Sequence, residues 1–331
     1  MTTSSTSPAR RNALIALAAA AAALWSPVSL RAQVLDKPVR LILPVGAGSG
    51  VDTITRAATP ALSKSLGHPV VVENQPGAGG IVGTTALVRA PADGFTLSIV
   101  SNNHVIYPSV YKSVPFDPIA DITPIMVIGS TPMVLVVNPN KVPATNVKDL
   151  VALLKAKPDA YNYASSGNGT ILHLAMELFV DEARVPIKHI PYKGVGPMVS
   201  DLIGGQVDIG VLALPAVQGH LKSGALRAIG VGGASRSPAA PDIPTLAEQG
   251  LPNYSAEGWF AVIGPAKLPA ADVSRIHAAF IAAFNAPEVR EAMAKQGNTI
   301  SPTTPEAALQ FFKSEMAKYA RLVEKSGMKL E

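Results

Sequence analysis

Tyr161-Asn162-Tyr163-Ala164-Ser165-Ser166-Gly167-Asn168-Gly169-Thr170-Ile171-Leu172-His173-Leu174-Ala175-Met176-Glu177-Leu178-Phe179 changes character twice. Its first three residues suit a short strand. From Ile171 onward, apolar residues recur at helical spacing: Ile171, Leu174, Ala175, Leu178 and Phe179. The segment between them holds two glycines, which reach backbone angles that other residues resist, and hydroxyls and an amide that can donate hydrogen bonds. A strand, a small polar loop and a helix start, in that order, make an anion cradle. The first helical turn has unpaired N–H groups and a partial positive charge. The same features also describe an ordinary polar connector with a capped helix.

A second stretch has the same plan. Val39-Arg40-Leu41-Ile42-Leu43 reads as a buried strand, Pro44 to Asp52 as a loop of small residues, and Thr53 to Leu66 as an amphipathic helix. Two such cradles, one per lobe, could grip the two ends of a small anion. The candidate ligand contacts are Val45, Gly46, Ala47, Gly48, Ser49 and Asp52 in the first loop. In the second they are Ser165, Ser166, Gly167, Gly169 and Thr170.

A chain of 331 residues can hold two domains with proper cores. Hydrophobic residues make up 48% and charged residues only 15%, which argues for a folded protein. Aromatic residues, at 5%, are too few to favour base or sugar stacking. There is no cysteine, so disulfide and thiolate chemistry are excluded. At the N-terminus, Arg10 and Arg11 precede an apolar run from Ala13 to Trp25, and Ala32 offers a small residue for cleavage. This is the pattern of an export signal, with an uncleaved membrane anchor as the alternative. Arg10-Arg11-Asn12 faintly resembles a twin-arginine signal, but Asn12 is not followed by Phe, so Sec export is expected. Residues 1–32 contain three arginines and no acid, so their removal takes the formal net charge from +5 to +2. No basic cluster is then left for nucleic acid. No later hydrophobic run is long enough to span a bilayer. The mature chain is expected to be soluble, periplasmic and monomeric.

Strand and helix patterns alternate along the chain, which predicts an α/β fold with parallel sheets and ligands beyond the carboxyl ends of the strands. Strands are expected at 69–74, 95–100, 188–190, 206–211, 226–231 and 259–265. Helices are expected at 81–89, 147–155, 197–203, 270–284, 287–296 and 304–325. Two apolar runs, Ile125 to Ile128 and Met133 to Val137, are broken by Gly129-Ser130-Thr131-Pro132 and read as extended segments leaving the first lobe. The domains expected are a discontinuous one over 33–137 and 257–331 and an inserted one over 138–256. Ser101-Asn102-Asn103-His104 follows a strand at its carboxyl edge, so Asn102 and His104 join the candidates. Tyr192 can wall the cleft or simply pack. Lys193 and Asp208 read first as structural, a loop tie and a backbone partner, with Asp208 also carried as a ligand candidate.

Further motifs identify a resemblance. Pro69-Val70-Val71-Val72-Glu73-Asn74-Gln75-Pro76-Gly77-Ala78-Gly79-Gly80, Ala92-Asp93-Gly94-Phe95-Thr96-Leu97, Pro191-Tyr192-Lys193-Gly194, Asp201 to Asp208 and Pro241-Asp242-Ile243-Pro244-Thr245 together resemble the Bug-type extracytoplasmic solute receptors of the tripartite tricarboxylate transporter system. The resemblance runs from about Lys37 to the C-terminus. It implies a two-lobed periplasmic binding protein of type II-like form, each lobe a sheet flanked by helices, closing on a small carboxylate and delivering it to a membrane permease. The carboxylate expected is a di- or tricarboxylate, aliphatic or aromatic. The family's first loop usually runs Pro-Phe-x-Pro-Gly-Gly-x-x-Asp. Here Val45 is smaller than Phe and Ser49 replaces a glycine, both where the family contacts its ligand.

Enzyme readings fare poorly. The histidines (68, 104, 173, 189, 220, 277) show no metal-binding spacing, and no Walker loop or G-x-S-x-G elbow occurs. Ser165 and Ser166 would need a base, and the nearest in sequence, His173, lies on the following helix. No catalytic residue, cofactor or metal is expected. A receptor of the same fold feeding a signalling partner is the alternative function, and a periplasmic hydrolase a more distant one. Sequencing the N-terminus of exported protein is expected to read from near Gln33. A full-length chain retained in the cytoplasm would refute the export signal.

Overall fold

The computed structural model describes residues 37–326, so the expected signal segment at 1–32 lies outside the described residues. Strand β1 (Val39–Leu43) is buried except at Arg40, as a strand covered on both faces should be. β2 (Val70–Asn74) and β3 (Thr96–Ser101) flank it, both parallel to it. β9 (Glu257–Pro265) then pairs antiparallel with β3 and with β4 (Ile122–Val137). In a second sheet, β5 (Asn162–Ser165) lies between β6 (Lys188–Pro191) and β7 (Ile209–Ala213), all parallel. β7 and β8 (Arg227–Val231) both pair antiparallel with β4. β10 (Thr299–Ile300) adds a short antiparallel pairing to β4 at Gly129 and Ser130. The parallel pairing expected from the strand–helix alternation thus holds among β1–β3 and among β5–β7, while every pairing made by β4 and β9 is antiparallel.

The two apolar runs read separately in the sequence form one strand. Residues 122–132 of β4 pair with β9, and residues 133–137 pair with β7 and β8. Pro132 has no N–H to give a ladder, but it falls at the changeover between the two sheets, where its loss is least costly. A Cβ at Gly129 would collide with the Thr299 carbonyl, so the glycine there admits β10 rather than ending the strand.

Helix α1 (Gly50–Leu66) starts three residues before the expected Thr53, because the Ser49 hydroxyl accepts from the Asp52 N–H at 3.2 Å and caps it. A short 3-10 turn (Ala78–Gly80) leads into α2 (Ile81–Val88). α3 (Asn103–Val110) is short and contains Pro108, and α7 (Leu214–Lys222) follows β7 without a break. Neither has enough periodic pattern to be read from the sequence. α4 (Val147–Ala156), α5 (Ile171–Ala183) and α6 (Val195–Gly204) cover the second sheet, and α8 (Ala270–Asn285), α9 (Pro287–Lys295) and α10 (Pro305–Ser326) close the chain. Among the described residues no helix is long and apolar enough to cross a membrane.

The last helix ties the centre together. Phe312 is fully buried, with its ring stacked on Trp259 of β9 at 5.5 Å and tilted against His104 of α3 at 5.8 Å. Trp259 Nε1–H donates to Glu315 at 2.9 Å, and Asn102 Nδ2–H donates to the Tyr319 hydroxyl at 2.6 Å. Phe312→Ala is expected to cost about 3–5 kcal/mol, the range for emptying a buried aromatic site. Urea unfolding checks this, and a loss under about 1 kcal/mol would mean that α10 is not anchored through this ring.

Candidate functional site

Both small-residue loops turn from a strand into a helix at a side-chain cap. In the first, Ser49 caps α1, and the buried Asp52 carboxylate accepts from the Gly48 N–H at 3.0 Å, Arg56 Nε at 2.9 Å and Asn74 Nδ2 at 3.0 Å. Asp52 therefore holds the loop's shape from behind. In the second, the Thr170 hydroxyl accepts from the His173 N–H at 3.4 Å and donates to the Gly167 carbonyl at 2.8 Å. Gly169 has φ +68°, a conformation that a β-branched residue resists.

Behind the second loop lies an aromatic stack in which Tyr163 and His173 are buried and His189 is half-buried. His173 stacks on His189 at 3.8 Å, and His189 stacks on Tyr163 at 4.8 Å. His173 Nδ1 accepts the Gly169 N–H at 3.1 Å, so its proton lies on Nε2, 3.7 Å from Glu177 Oε1. His189 Nε2 lies 2.7 Å from the Ser165 hydroxyl, and the Tyr163 hydroxyl hydrogen-bonds Glu177. Burial pushes the His173 pKa down to about 3, helped by the neighbouring His189, and pushes His189 down to about 4. Burial likewise raises Tyr163, so its hydroxyl stays protonated. Neutral imidazoles therefore shape the loop. Ser165 is wholly buried and borders neither cavity described next.

Two cavities meet between the sheets. The inner one, about 60 Å³, has buried apolar walls that include Val51, Met133, Leu172, Leu212 and Trp259. The outer one, about 590 Å³, opens past the exposed residues Gly77, Asn168 and Lys193. They share Val45, Asn103, Ser166 and Val195. The first residues of both helices line the inner cavity: Gly50 and Val51 of α1, Ile171 and Leu172 of α5. Ser49 meets the N–H groups of Asp52 and Thr53, and no acceptor is found among the described residues for those of Gly50 and Val51. No charged side chain lines the inner cavity. Thr131 on β4 also borders it, buried to 5% exposure, and its hydroxyl has no hydrogen-bond partner among the described residues.

The elements of the two sheets touch around these cavities. A Cβ at Gly50 would stand 2.7 Å from the Ala213 Cβ, so only glycine lets α1 approach the end of β7 this closely. Asn103 Nδ2–H donates to the Gly79 carbonyl at 2.9 Å, and its Oδ1 accepts from the Ile171 N–H at 2.8 Å. Tyr111 donates to the Asn168 carbonyl at 3.2 Å.

Of the residues singled out in the sequence, Val45, Ser49, Asn102 and Ser166 line the inner cavity, and Val45, Gly46, Ser166, Gly167, Thr170 and Tyr192 the outer. Ala47, Gly48, Asp52, Ser165, Gly169, His104 and Asp208 line neither. His104 is fully buried with Nε2 2.7 Å from the Pro118 carbonyl, and burial lowers its pKa to about 4. Asp208 accepts from the Asn162 N–H at 2.9 Å and joins β5 to the end of β4. Tyr192 donates to Asp201 at 2.7 Å, and burial and that carboxylate push its pKa up to about 12. Asn102 is buried, and both its amide atoms are occupied by Trp259 N–H, the Glu257 carbonyl and Tyr319. Asn103, Thr131 and Trp259 were not singled out. Asn103 sits in a stretch that was, but the turn of α3 sends His104 into the core and leaves Asn103 bordering both cavities. Thr131 lies in a segment that the sequence presents as a break. Among the described residues no group of His, Cys, Asp and Glu could hold a metal ion.

The comparisons with known proteins agree in kind. The family model described as tripartite tricarboxylate transporter family receptor matches residues 54–328. BugT of Bordetella pertussis is 36% identical over 321 residues, covering 96% of this chain and 98% of that protein. A solved structure described as a periplasmic transporter is 36% identical with a TM-score of 0.85, covering 89% of this chain and 98% of that one. An R. palustris protein, Rpa4515, solved with adipate, is 30% identical, again with a TM-score of 0.85, covering 88% and 98%. The fold is therefore the two-lobed binding-protein fold.

Neutral histidines behind the second loop predict a pH dependence. Free imidazole titrates near pH 6.5, so below that pH the unfolded chain takes up protons that the folded chain refuses. Stability should fall as pH drops from about 6.5 towards the folded values of about 4 and 3. His173→Gln, which keeps an acceptor for Gly169, is expected to flatten this decline in melting temperature. An unchanged slope would show that His173 does not carry it.

Proposed function

Because the chain belongs to the receptor family of the tripartite tricarboxylate transporters, we propose that it captures a small carboxylate in the periplasm and delivers it to the membrane permease of such a system. The observation that carries this reading is the convergence of two helix N-termini, one from each sheet, on a single cavity without charged walls. Helix N-termini favour anions through their free N–H groups and partial positive charge, so no arginine clamp is needed. The unpartnered Thr131 hydroxyl, buried at the same cavity, supports a ligand that accepts a hydrogen bond there. The relative solved with adipate supports the carboxylate class, and the one described as a periplasmic transporter supports the compartment. In this reading a lobe of residues 33–137 and 257–331 and a lobe of residues 138–256 close on the ligand, the mature chain acts as a monomer, and export precedes binding. Val45, Ser49 and Ser166 border the carboxylate directly. Asp52, Ser165 and Gly169 hold the two loops in shape.

Calorimetry of the mature chain against carboxylates and neutral sugars tests the class. Binding of sugars and of no carboxylate would overturn it. Thr131→Val is expected to separate binding from folding. If the hydroxyl donates to a carboxylate, its loss weakens binding by about 1.5–3 kcal/mol. The ligand-free melting temperature should hold or rise, because an unpartnered buried hydroxyl is removed. Unchanged affinity in Thr131→Val would take Thr131 out of the site.

A further inference from the structure

Helix α3 begins at Asn103, and that side chain reaches partners on both sides of the cavities. It is 8% exposed and borders both of them. Its Nδ2 donates to the carbonyl of Gly79, in the turn that follows β2 of the first sheet. Its Oδ1 accepts from the N–H of Ile171, the first residue of α5, which follows β5 of the second. These partners fix the orientation of the amide, because a carbonyl can only accept and a backbone N–H can only donate. Just past the other end of α3, the Tyr111 hydroxyl donates to the Asn168 carbonyl. The two bonds therefore bracket the second loop at residues 168 and 171. A Cβ at Gly79 would stand 3.1 Å from the Tyr111 hydroxyl and 3.8 Å from Thr170 Cγ2, so the glycine lets the turn come up against both. α3 is itself fastened to α10, through Asn102 and Tyr319 and through His104 and Phe312.

We infer that Asn103 is a positioning residue of the site: its amide holds the start of α5 against the turn at Gly79, so that donors from both helix starts meet one carboxylate. This rests on the carboxylate reading above and adds what sets the donors in place. The Asn103–Ile171 bond contains no ligand atom, so it acts alike on whatever carboxylate binds. It also decides which donors are left. The Ile171 N–H is spent on Asn103 and that of His173 on Thr170, so α5 offers Leu172, while α1 offers Gly50 and Val51 and β4 the Thr131 hydroxyl. The carboxylate is thus drawn towards α1 and β4, and α5 completes the set with one N–H. If the segments on either side move as two lobes, the Asn103–Ile171 and Tyr111–Asn168 bonds are made only when the lobes are together, and they favour that arrangement. A neutral amide suits this place. An aspartate would still accept from Ile171, but it would face the Gly79 carbonyl with no proton to give and would set a negative charge beside the ligand's own.

The test joins amide hydrogen exchange of the ligand-free mature chain, followed by NMR, to calorimetry with acetate, succinate, adipate and benzoate. Both are run on the wild type, Asn103→Ala and Asn103→Asp. In the wild type the Ile171 amide should exchange more slowly than that of Leu172, which has no acceptor among the described residues. Asn103→Ala should remove this protection, and Asn103→Asp should keep it. Asn103→Ala should weaken every carboxylate that binds by one common factor, roughly three- to tenfold, the worth of a single hydrogen bond. Asn103→Asp should weaken them further. A loss in Asn103→Ala that differs more than threefold among the ligands marks a direct ligand contact and overturns the positioning role. Unchanged affinity in that variant overturns it too, as does an Ile171 amide that exchanges equally fast in the wild type. If Asn103→Ala does not fold, Asn103→Asp decides, and wild-type affinity there overturns the role. Each of these outcomes leaves the carboxylate reading standing, whereas failure of every carboxylate to bind overturns both.

Discussion

Strand β4 hydrogen-bonds in two sheets in succession, and the rest of the molecule depends on that sharing. Its 16 residues reach roughly 50 Å, long enough to serve β9 with one half and β7 and β8 with the other. Because a continuous backbone joins the sheets, the carboxyl ends of β1 and β5 are brought to the same space from opposite sides. Thr131 stands on β4 close to where its partners change, which puts a hydroxyl from the connecting strand beside helix starts from both sheets. α10 reinforces the join by packing on α3 and against β9 through Phe312, Trp259 and the Asn102–Tyr319 bond.

No charged side chain lines the inner cavity, and the two helix starts that border it carry the partial positive charge of a helix N-terminus. A buried lysine or arginine would need a partner in the ligand-free protein, or would lose its charge. Unpaired N–H groups at a helix start carry a smaller, distributed charge that water can satisfy when the site is empty. Capping by Ser49 leaves the N–H groups of Gly50 and Val51 without an acceptor among the described residues, whereas in α5 Thr170 takes that of His173 and Asn103 that of Ile171, which leaves Leu172. The charged groups nearby are kept out of the inner cavity. Asp52 is turned back to Gly48, Arg56 and Asn74, and Lys193 stands at the outer lip.

Rigid packing behind each loop gives these donors fixed directions. The His173–His189–Tyr163 stack is held neutral by burial, and only a neutral His173 can accept the Gly169 N–H. In the first loop a carboxylate does the same work, and Asp52 is bound on both oxygens. The two loops reach similar backbone shapes by different chemistry, which is why their sequences look alike only in their small residues.

Local chemistry was legible in the chain itself. The apolar run Val39–Leu43 and the periodic Ile171–Phe179 name their own secondary structure, because periodicity is a property of neighbours in sequence. Thr170 could be read as a residue at a helix start for the same reason, whereas Ser49 reads as part of the loop, and its cap starts α1 three residues before the apolar pattern does. The strand–helix alternation was enough for two α/β lobes. Long-range pairing decided the remainder. Gly129 to Pro132 looks like a break in sequence, yet it continues β4, since partners more than a hundred residues away supply its ladder. Which of Asn102, Asn103 and His104 faces the cavity depends on how α3 lies against α10 and the turn at Gly79. That both helix starts border one cavity, and that Thr131 is left without a partner there, follows from the positions of two sheets relative to one strand, which no local pattern encodes.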